Sequence, residues 1–179
     1  MKRRRPTSPS AVPKLTLQSS VGYQTRLTHR LVQRLLQTRI APYGVQLGMW
    51  YFLRVLWDED GLTQRELSNR IGIMEPTTLH TLATMERSGL IKRVRNTVDR
   101  RKTNVFLTPK GRRLQKILLP IAAQVVTDLT RGFTKREVRQ FVGFLRRLQA
   151  NAHVQLSDLE PGEVDDQLPR AASRSGSTD

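Results

Sequence analysis

The sequence predicts a mainly α fold with one small β hairpin, and three observations predict it. Apolar residues recur at three- and four-residue spacing through most of the chain, the period of a helix with one buried face. Helix-opening signals stand where those patterns begin. Two β-prone runs, Leu90–Arg95 "LIKRVR" and Thr103–Thr108 "TNVFLT", flank a polar turn.

The elements follow in order. Leu27, Leu31 and Leu35 recur every four residues, with His29, Val32, Leu36 and Ile40 on a neighbouring stripe, predicting a helix from about Val21 to Ala41 that stops near "APYG". A second helix is expected from about Gln46 to Trp57, ended by "DEDG". In "TQRE", Thr63 with Glu66 three residues on forms a capping box opening a short helix through Arg70, which Gly72 closes. Pro76 in "EPTTLHTLATMERSG" suits a helix start, where its missing N–H costs nothing, and Gly89 suits the end. Leu79, Leu82 and Met85 read as that helix's apolar face, leaving Thr77, Thr78, His80, Thr81 and Thr84 largely off it. After the hairpin, Thr108 and Pro109 open a long helix to about Arg131, with a kink expected at Pro120. A last helix begins near Thr134, with Val138, Phe141, Val142, Leu145 and Leu148 as its stripe.

Charge narrows the function. Among 179 residues, 31 Lys and Arg stand against 15 Asp and Glu, a net charge of +16. A field of that size attracts polyanions, so nucleic acid leads and an anionic membrane comes second. Residues 1–18 are basic and rich in Pro, Ser and Thr and read as a disordered arm, whereas 157–179 read as a disordered acidic tail. The positive charge therefore belongs to the central part and the arm. The chain has no cysteine, which removes disulfides, thiolate zinc sites and thiol redox switching. "MKRRRP" is not followed by an apolar run, and "ILLPIAAQVV" is too short for a membrane span, so the expectation is a cytoplasmic protein with no membrane partner.

Two short helices joined by a tight "GI" turn, followed by a hairpin with a basic tip, make a helix-turn-helix with a wing. Four threonines on the second helix suit base edges and thymine methyls better than an ordinary Lys- and Glu-covered surface would. The tip, "NTVDRRKTN", sets one acid, Asp99, beside Arg100, Arg101 and Lys102. An incidental solvated turn explains the acid but leaves the cationic excess idle.

The stretch "GLTQRELSNRIGIMEPTTLHTLATMERSGLIKRVRNTVDRRKTNVFLTPKGRRL" resembles the core of the MarR family of bacterial transcriptional regulators. The resemblance rests on "TxxEL", "EPTTLHTL", "MERSGLI" and the wing pattern at Asp99, Arg101, Leu107, Thr108 and Gly111. It implies one domain over 19–156, with a winged helix over about 45–110 and dimerisation helices over about 19–41 and 109–156. It further implies a bacterial, nucleoid-associated homodimer on double-stranded DNA, acting as a repressor at a palindromic operator. Pro76, Thr77, Thr78, His80, Thr81 and Thr84 would face the major groove, with His80 departing from the arginine often found there. Arg101, held by Asp99, would enter the minor groove, and Arg100 and Lys102 would contact phosphates. Leu27, Leu31, Val138, Phe141, Leu145 and Leu148 would meet the twin protomer. The family commonly releases DNA on binding aromatic acids, and His29, Tyr43, Trp50 and Arg54 could hold a small aromatic carboxylate, the indoles stacking and Arg54 pairing with its charge. No cofactor is implied.

Two rival classes compete with this reading. An enzyme is disfavoured because the sequence holds no paired carboxylates in an apolar stretch, no G-x-S-x-G, no phosphate-binding glycine loop and no metal-ligand cluster, and His29, His80 and His153 are scattered. A sequence-indifferent nucleic-acid packager would need only charge. It is separated from a regulator by comparing random with operator DNA.

Overall fold

The computed structural model describes residues 16–159. The expected arm and tail lie outside these residues except at their inner ends, where Leu17–Ser19 form a 3-10 turn and the last helix runs on to Leu159. Six helices and a hairpin follow: α1 (Val21–Ile40), α2 (Leu47–Asp58), α3 (Gln64–Ile71), α4 (Glu75–Arg87), β1 (Ile91–Arg95), β2 (Thr103–Leu107), α5 (Pro109–Leu129) and α6 (Lys135–Leu159).

The starts and stops are chemically specified. Thr63 and Glu66 form the capping box reciprocally, and Gly72 ends α3 in the left-handed region at φ 73°, which costs a glycine little. Thr108 caps α5 by accepting from the Gly111 amide. Thr134 and Glu137 repeat the reciprocal cap at α6: the Thr134 amide donates to the Glu137 carboxylate at 2.7 Å, and the Glu137 amide donates to the Thr134 hydroxyl at 3.2 Å. Helix α5 runs without interruption through Pro120.

One core holds α2, α3, α4, the hairpin and the inner face of α5 together. Phe52, Leu53, Leu56, Leu67, Leu82, Met85, Ile91, Val105 and Leu118 are all essentially closed to solvent. The hairpin pairs antiparallel from Ile91 opposite Leu107 to Arg95 opposite Thr103. A third short segment, residues 61–63, joins it. The Gly61 amide donates to the Val105 carbonyl, the Val105 amide to the Leu62 carbonyl, and Thr63 bridges to Asn104. This pins the hairpin base to the α2–α3 loop. Gly111 is required by close approach: a Cβ there would stand 2.2 Å from the Leu90 carbonyl oxygen.

The flanking helices are organised differently. The C-terminal half of α1 packs along α5, where Arg39 and Asp128 form a 2.5 Å ion pair. Helix α6 buries no residue at all. Phe141 and Phe144 are 50% and 60% exposed, and Leu31, Val126, Leu148 and Val154 are likewise open.

Candidate nucleic-acid interface

Helices α3 and α4 form the helix-turn-helix, and a buried hydroxyl pair fixes their relation. Ser68 Oγ donates to the Ile73 carbonyl at 2.9 Å and meets Thr78 Oγ1 at 2.8 Å. Thr78 is therefore 1% exposed, and it leaves the set of residues expected to face DNA. The physical reason is the helix period. The buried stripe of α4 is Thr78, Leu82 and Met85, spaced four and three, so Leu79 falls outside and is 46% exposed. A threonine takes an interior position because its one hydroxyl has a partner there.

The outward face of α4 carries Pro76, Thr77, Leu79 and His80, all exposed, with Thr81 and Thr84 half-buried beside them. The hydroxyl of Thr81 donates to the Thr77 carbonyl, and that of Thr84 donates to the His80 carbonyl while accepting from Arg87. Thr77 makes no side-chain hydrogen bond among the described residues, so its hydroxyl stays available. Met74, the N-cap of α4, contributes no side-chain bond to the helix start.

The wing tip is built by Asn96 and Asp99. Asn96 Oδ1 accepts from the Val98 and Asp99 amides, while its Nδ2 donates to Asn104 Oδ1. Asn104 in turn donates to the Gly61 carbonyl at 2.6 Å, so the tip is tied through the sheet to the α2–α3 loop. Asp99 then receives the Arg101 guanidinium on both oxygens, Nε at 3.1 Å and Nη2 at 3.4 Å, and also the Arg101 amide. These hydrogen bonds hold the Asp99 carboxyl below its ordinary pKa, with Lys102 adding to the effect. The Arg101 side chain remains 92% exposed. The Arg101 guanidinium is thus ordered by Asp99 while almost wholly in solvent. Arg95 donates to the Arg100 carbonyl, stiffening the other side of the tip.

Sequence reasoning missed the link between wing and α4. Glu86, on α4, takes the Arg93 guanidinium at 2.7–2.8 Å and the Arg93 amide at 3.1 Å, and these bonds lower the Glu86 pKa. The partners lie seven residues apart on different elements, and no local periodicity marks them. Asn96 could have been found, since Asn two or three residues before other turn residues is an Asx-turn signal.

The expected effector residues divide. Arg54 Cζ lies 5.7 Å over the Trp50 ring, and Trp57 meets Trp50 edge-on at 5.8 Å. Trp50, however, is only 4% exposed and belongs to the core, so it is not the open stacking surface that was expected. Helix α2 packs against α1, α3, α4 and α5, which leaves few of its positions open. Trp57 donates its Nε1–H to the Gly111 carbonyl at 3.0 Å. His29 and Tyr43 are exposed, and no hydrogen bond or ring contact among the described residues ties them to Arg54. Among these residues no group of three or more His, Asp or Glu could hold a metal ion, and no helix is long and apolar enough to cross a membrane.

The winged arrangement is shared with known proteins. The model of the MarR family matches residues 48–103. The crystal structure of a MarR transcriptional regulator from Methanosarcina mazei Go1 is 31% identical and superposes with a TM-score of 0.69, covering 74% of this chain and 95% of that one. The chain belongs to the MarR family. Among curated relatives, the HTH-type transcriptional regulator TtmR of Methylorubrum extorquens is 29% identical over 127 residues, 71% of this chain; the match spans 64% of TtmR's own length. A more distant likeness, at the level of fold, is the S. aureus MepR–DNA complex, 22% identical with a TM-score of 0.70 over 74% of this chain and 98% of that one.

Proposed function

We propose that this MarR-family chain is a sequence-specific, double-stranded-DNA-binding transcriptional regulator. It works as a homodimer on a palindromic operator, acts by blocking the promoter it covers, and is released by a small aromatic carboxylate. The observation that carries the DNA reading is the Arg101 guanidinium, ordered on both Asp99 oxygens at the wing tip and still exposed. A slim cation held that way suits the minor groove, where negative potential is concentrated. Arg100 and Lys102 beside it suit phosphates, which add affinity without sequence information. On α4, Pro76, Thr77 and His80 suit the major groove, with Thr81 and Thr84 at the margin.

The dimer reading is supported by the apolar residues that α1, α5 and α6 leave uncovered, Leu31, Phe141 and Leu148 among them, with Leu27, Val138 and Leu145 half-covered beside them. Burying a side chain such as Phe or Leu is worth about 1.5–3 kcal/mol, so a stripe of this kind drives pairing. Two-fold symmetry is the ordinary outcome. The effector reading is supported by the exposed Arg54 guanidinium, which lies over the buried Trp50 ring. Operator binding in a cytoplasmic, nucleoid-associated setting completes the proposal.

The test is equilibrium binding, by fluorescence anisotropy, of the full chain to the DNA flanking its own gene and to random duplex across a salt series. The proposal expects at least a thousandfold preference for one site, and expects Arg101→Ala together with Thr77→Val to erode it. Equal affinity for both duplexes at every salt concentration would instead identify a packager.

A further inference from the structure

Leu79 has no place in the interior of this fold, although its spacing with Leu82 and Met85 suited one. The buried stripe of α4 runs through Thr78, Leu82 and Met85, and Leu79 stands beside it, 46% exposed. A single apolar side chain on a surface needs no explanation. Here, however, the distribution is uneven. Among the described residues from α2 through β2, the large exposed apolar side chains are Tyr51, Met74, Leu79, Val94 and Val98. Four of these five belong to α4 with its N-cap or to the hairpin, the two elements proposed to meet DNA.

Leu79 is set in the half of α4 that a recognition helix puts into the major groove. Residues three apart are neighbours on a helix surface, so it lies one turn on from Pro76, which is exposed and has no N–H. Helical side chains lean toward the N-terminus, which carries the leucine over the first turn. The polar groups around it are largely engaged. Thr81 and Thr84 donate to the Thr77 and His80 carbonyls, and Glu75 faces Arg65 at 4.0 Å. The major groove offers one apolar feature, the 5-methyl group of thymine. Bringing leucine and methyl together removes apolar surface from water on both partners, whereas a base without the methyl leaves the leucine against a bare ring edge. We infer that Leu79 is a specificity-determining residue that selects a thymine in each half-site by packing on its 5-methyl group. The inference rests on the proposed operator reading and adds to it a contact with no charge and no hydrogen bond. Its contribution is therefore insensitive to salt, unlike those of Arg100 and Lys102.

The experiment is fluorescence anisotropy with the full chain on the preferred duplex from the DNA flanking its own gene, on random duplex, and on a deoxyuridine series. In that series one thymine of each half-site at a time is replaced by deoxyuridine, which removes the methyl and keeps every hydrogen-bonding group. Wild type is set beside Leu79→Ala and Leu79→Met, with melting temperatures verifying the fold of each. Wild type should lose roughly fourfold for each methyl it buries, and so roughly tenfold or more at one symmetric pair of positions. Leu79→Ala should bind the thymine and deoxyuridine duplexes alike at that pair while keeping the wild-type salt slope, and Leu79→Met should restore most of the difference. Deoxyuridine tolerated at every position by wild type, or a penalty undiminished in Leu79→Ala, overturns the assignment and leaves the operator reading intact. Equal binding of wild type to every duplex, random included, overturns the operator reading and the Leu79 assignment with it.

Discussion

Arg101 illustrates how one residue can be both fixed and available. Its guanidinium is held by Asp99, yet Asp99 is itself an anion that DNA phosphates repel. The two effects oppose each other and scale differently with salt, because repulsion across solvent is screened within about 10 Å at 0.1 M ionic strength whereas the direct hydrogen bonds are not. Replacing Asp99 by Asn removes the repulsion and loosens the guanidinium. At low salt, Asp99→Asn should therefore tighten binding to random duplex while narrowing the preference for the operator. Anisotropy titrations on both duplexes check this, and an unchanged ratio would mean that Asp99 orders nothing relevant. Other carboxylates contribute to how stability changes in acid. Glu66 is held below its ordinary pKa chiefly by the Thr63 hydroxyl, Glu86 by Arg93, and Glu137 by the Thr134 amide. A lowered folded-state pKa contributes stability that is complete above the unfolded-chain value of about 4.3 and is lost as pH falls through the folded value. The melting temperature should be flat from pH 7 to about 5 and fall below about 4. Glu66→Gln should shallow that fall in a thermal melt series.

At the scale of elements, α4 separates what is structural from what is available to DNA. Thr77 and Thr78 are adjacent, but one is exposed with an uncommitted hydroxyl and the other is buried against Ser68. Thr78→Val should cost about 1 kcal/mol through the lost hydrogen bond and leave base preference intact. Thr77→Val should do the reverse. Calorimetry paired with operator-variant binding distinguishes them, and a Thr78→Val protein with normal stability but altered base preference would contradict the assignment. The element order was legible in the sequence, because caps and glycines are local signals: Thr63 with Glu66, Gly72 and Thr108 all act where the spacing put them. The same T-x-x-E signature at Thr134 and Glu137 was present and went unread. Faces were less legible. The three-residue spacing of Leu79, Leu82 and Met85 matched a helix face, but the interior prefers a four-and-three alternation and accepts a threonine whose hydroxyl is satisfied. Trp50 was misplaced for a related reason, since composition does not show that α2 is covered by four other helices. Long-range ties such as Arg39 with Asp128, 89 residues apart, leave no trace in local pattern.

At the scale of the whole molecule, the two halves of the described chain are covered unequally. Its winged half has a closed core, whereas its flanking half presents α6 with no buried residue and an apolar stripe in solvent. That asymmetry is the physical argument for a twin. Phe141→Asp places a charge in the stripe without disturbing the winged core, so it should yield a folded monomer by sedimentation velocity and abolish operator binding at concentrations where wild type binds. A Phe141→Asp protein that still sediments as a dimer would move the interface elsewhere. In the proposed dimer two local geometries become one spacing, because paired recognition helices would read half-sites about 34 Å, one DNA turn, apart.

Hydroxyl-radical footprinting of the wild-type chain on its operator, beside Arg101→Ala, tests this most directly. The account predicts protection symmetric about a dyad, with half-site centres one helical turn apart and outer minor-groove protections that vanish in Arg101→Ala. Protection without a dyad, or outer protections that persist without the Arg101 guanidinium, would contradict it.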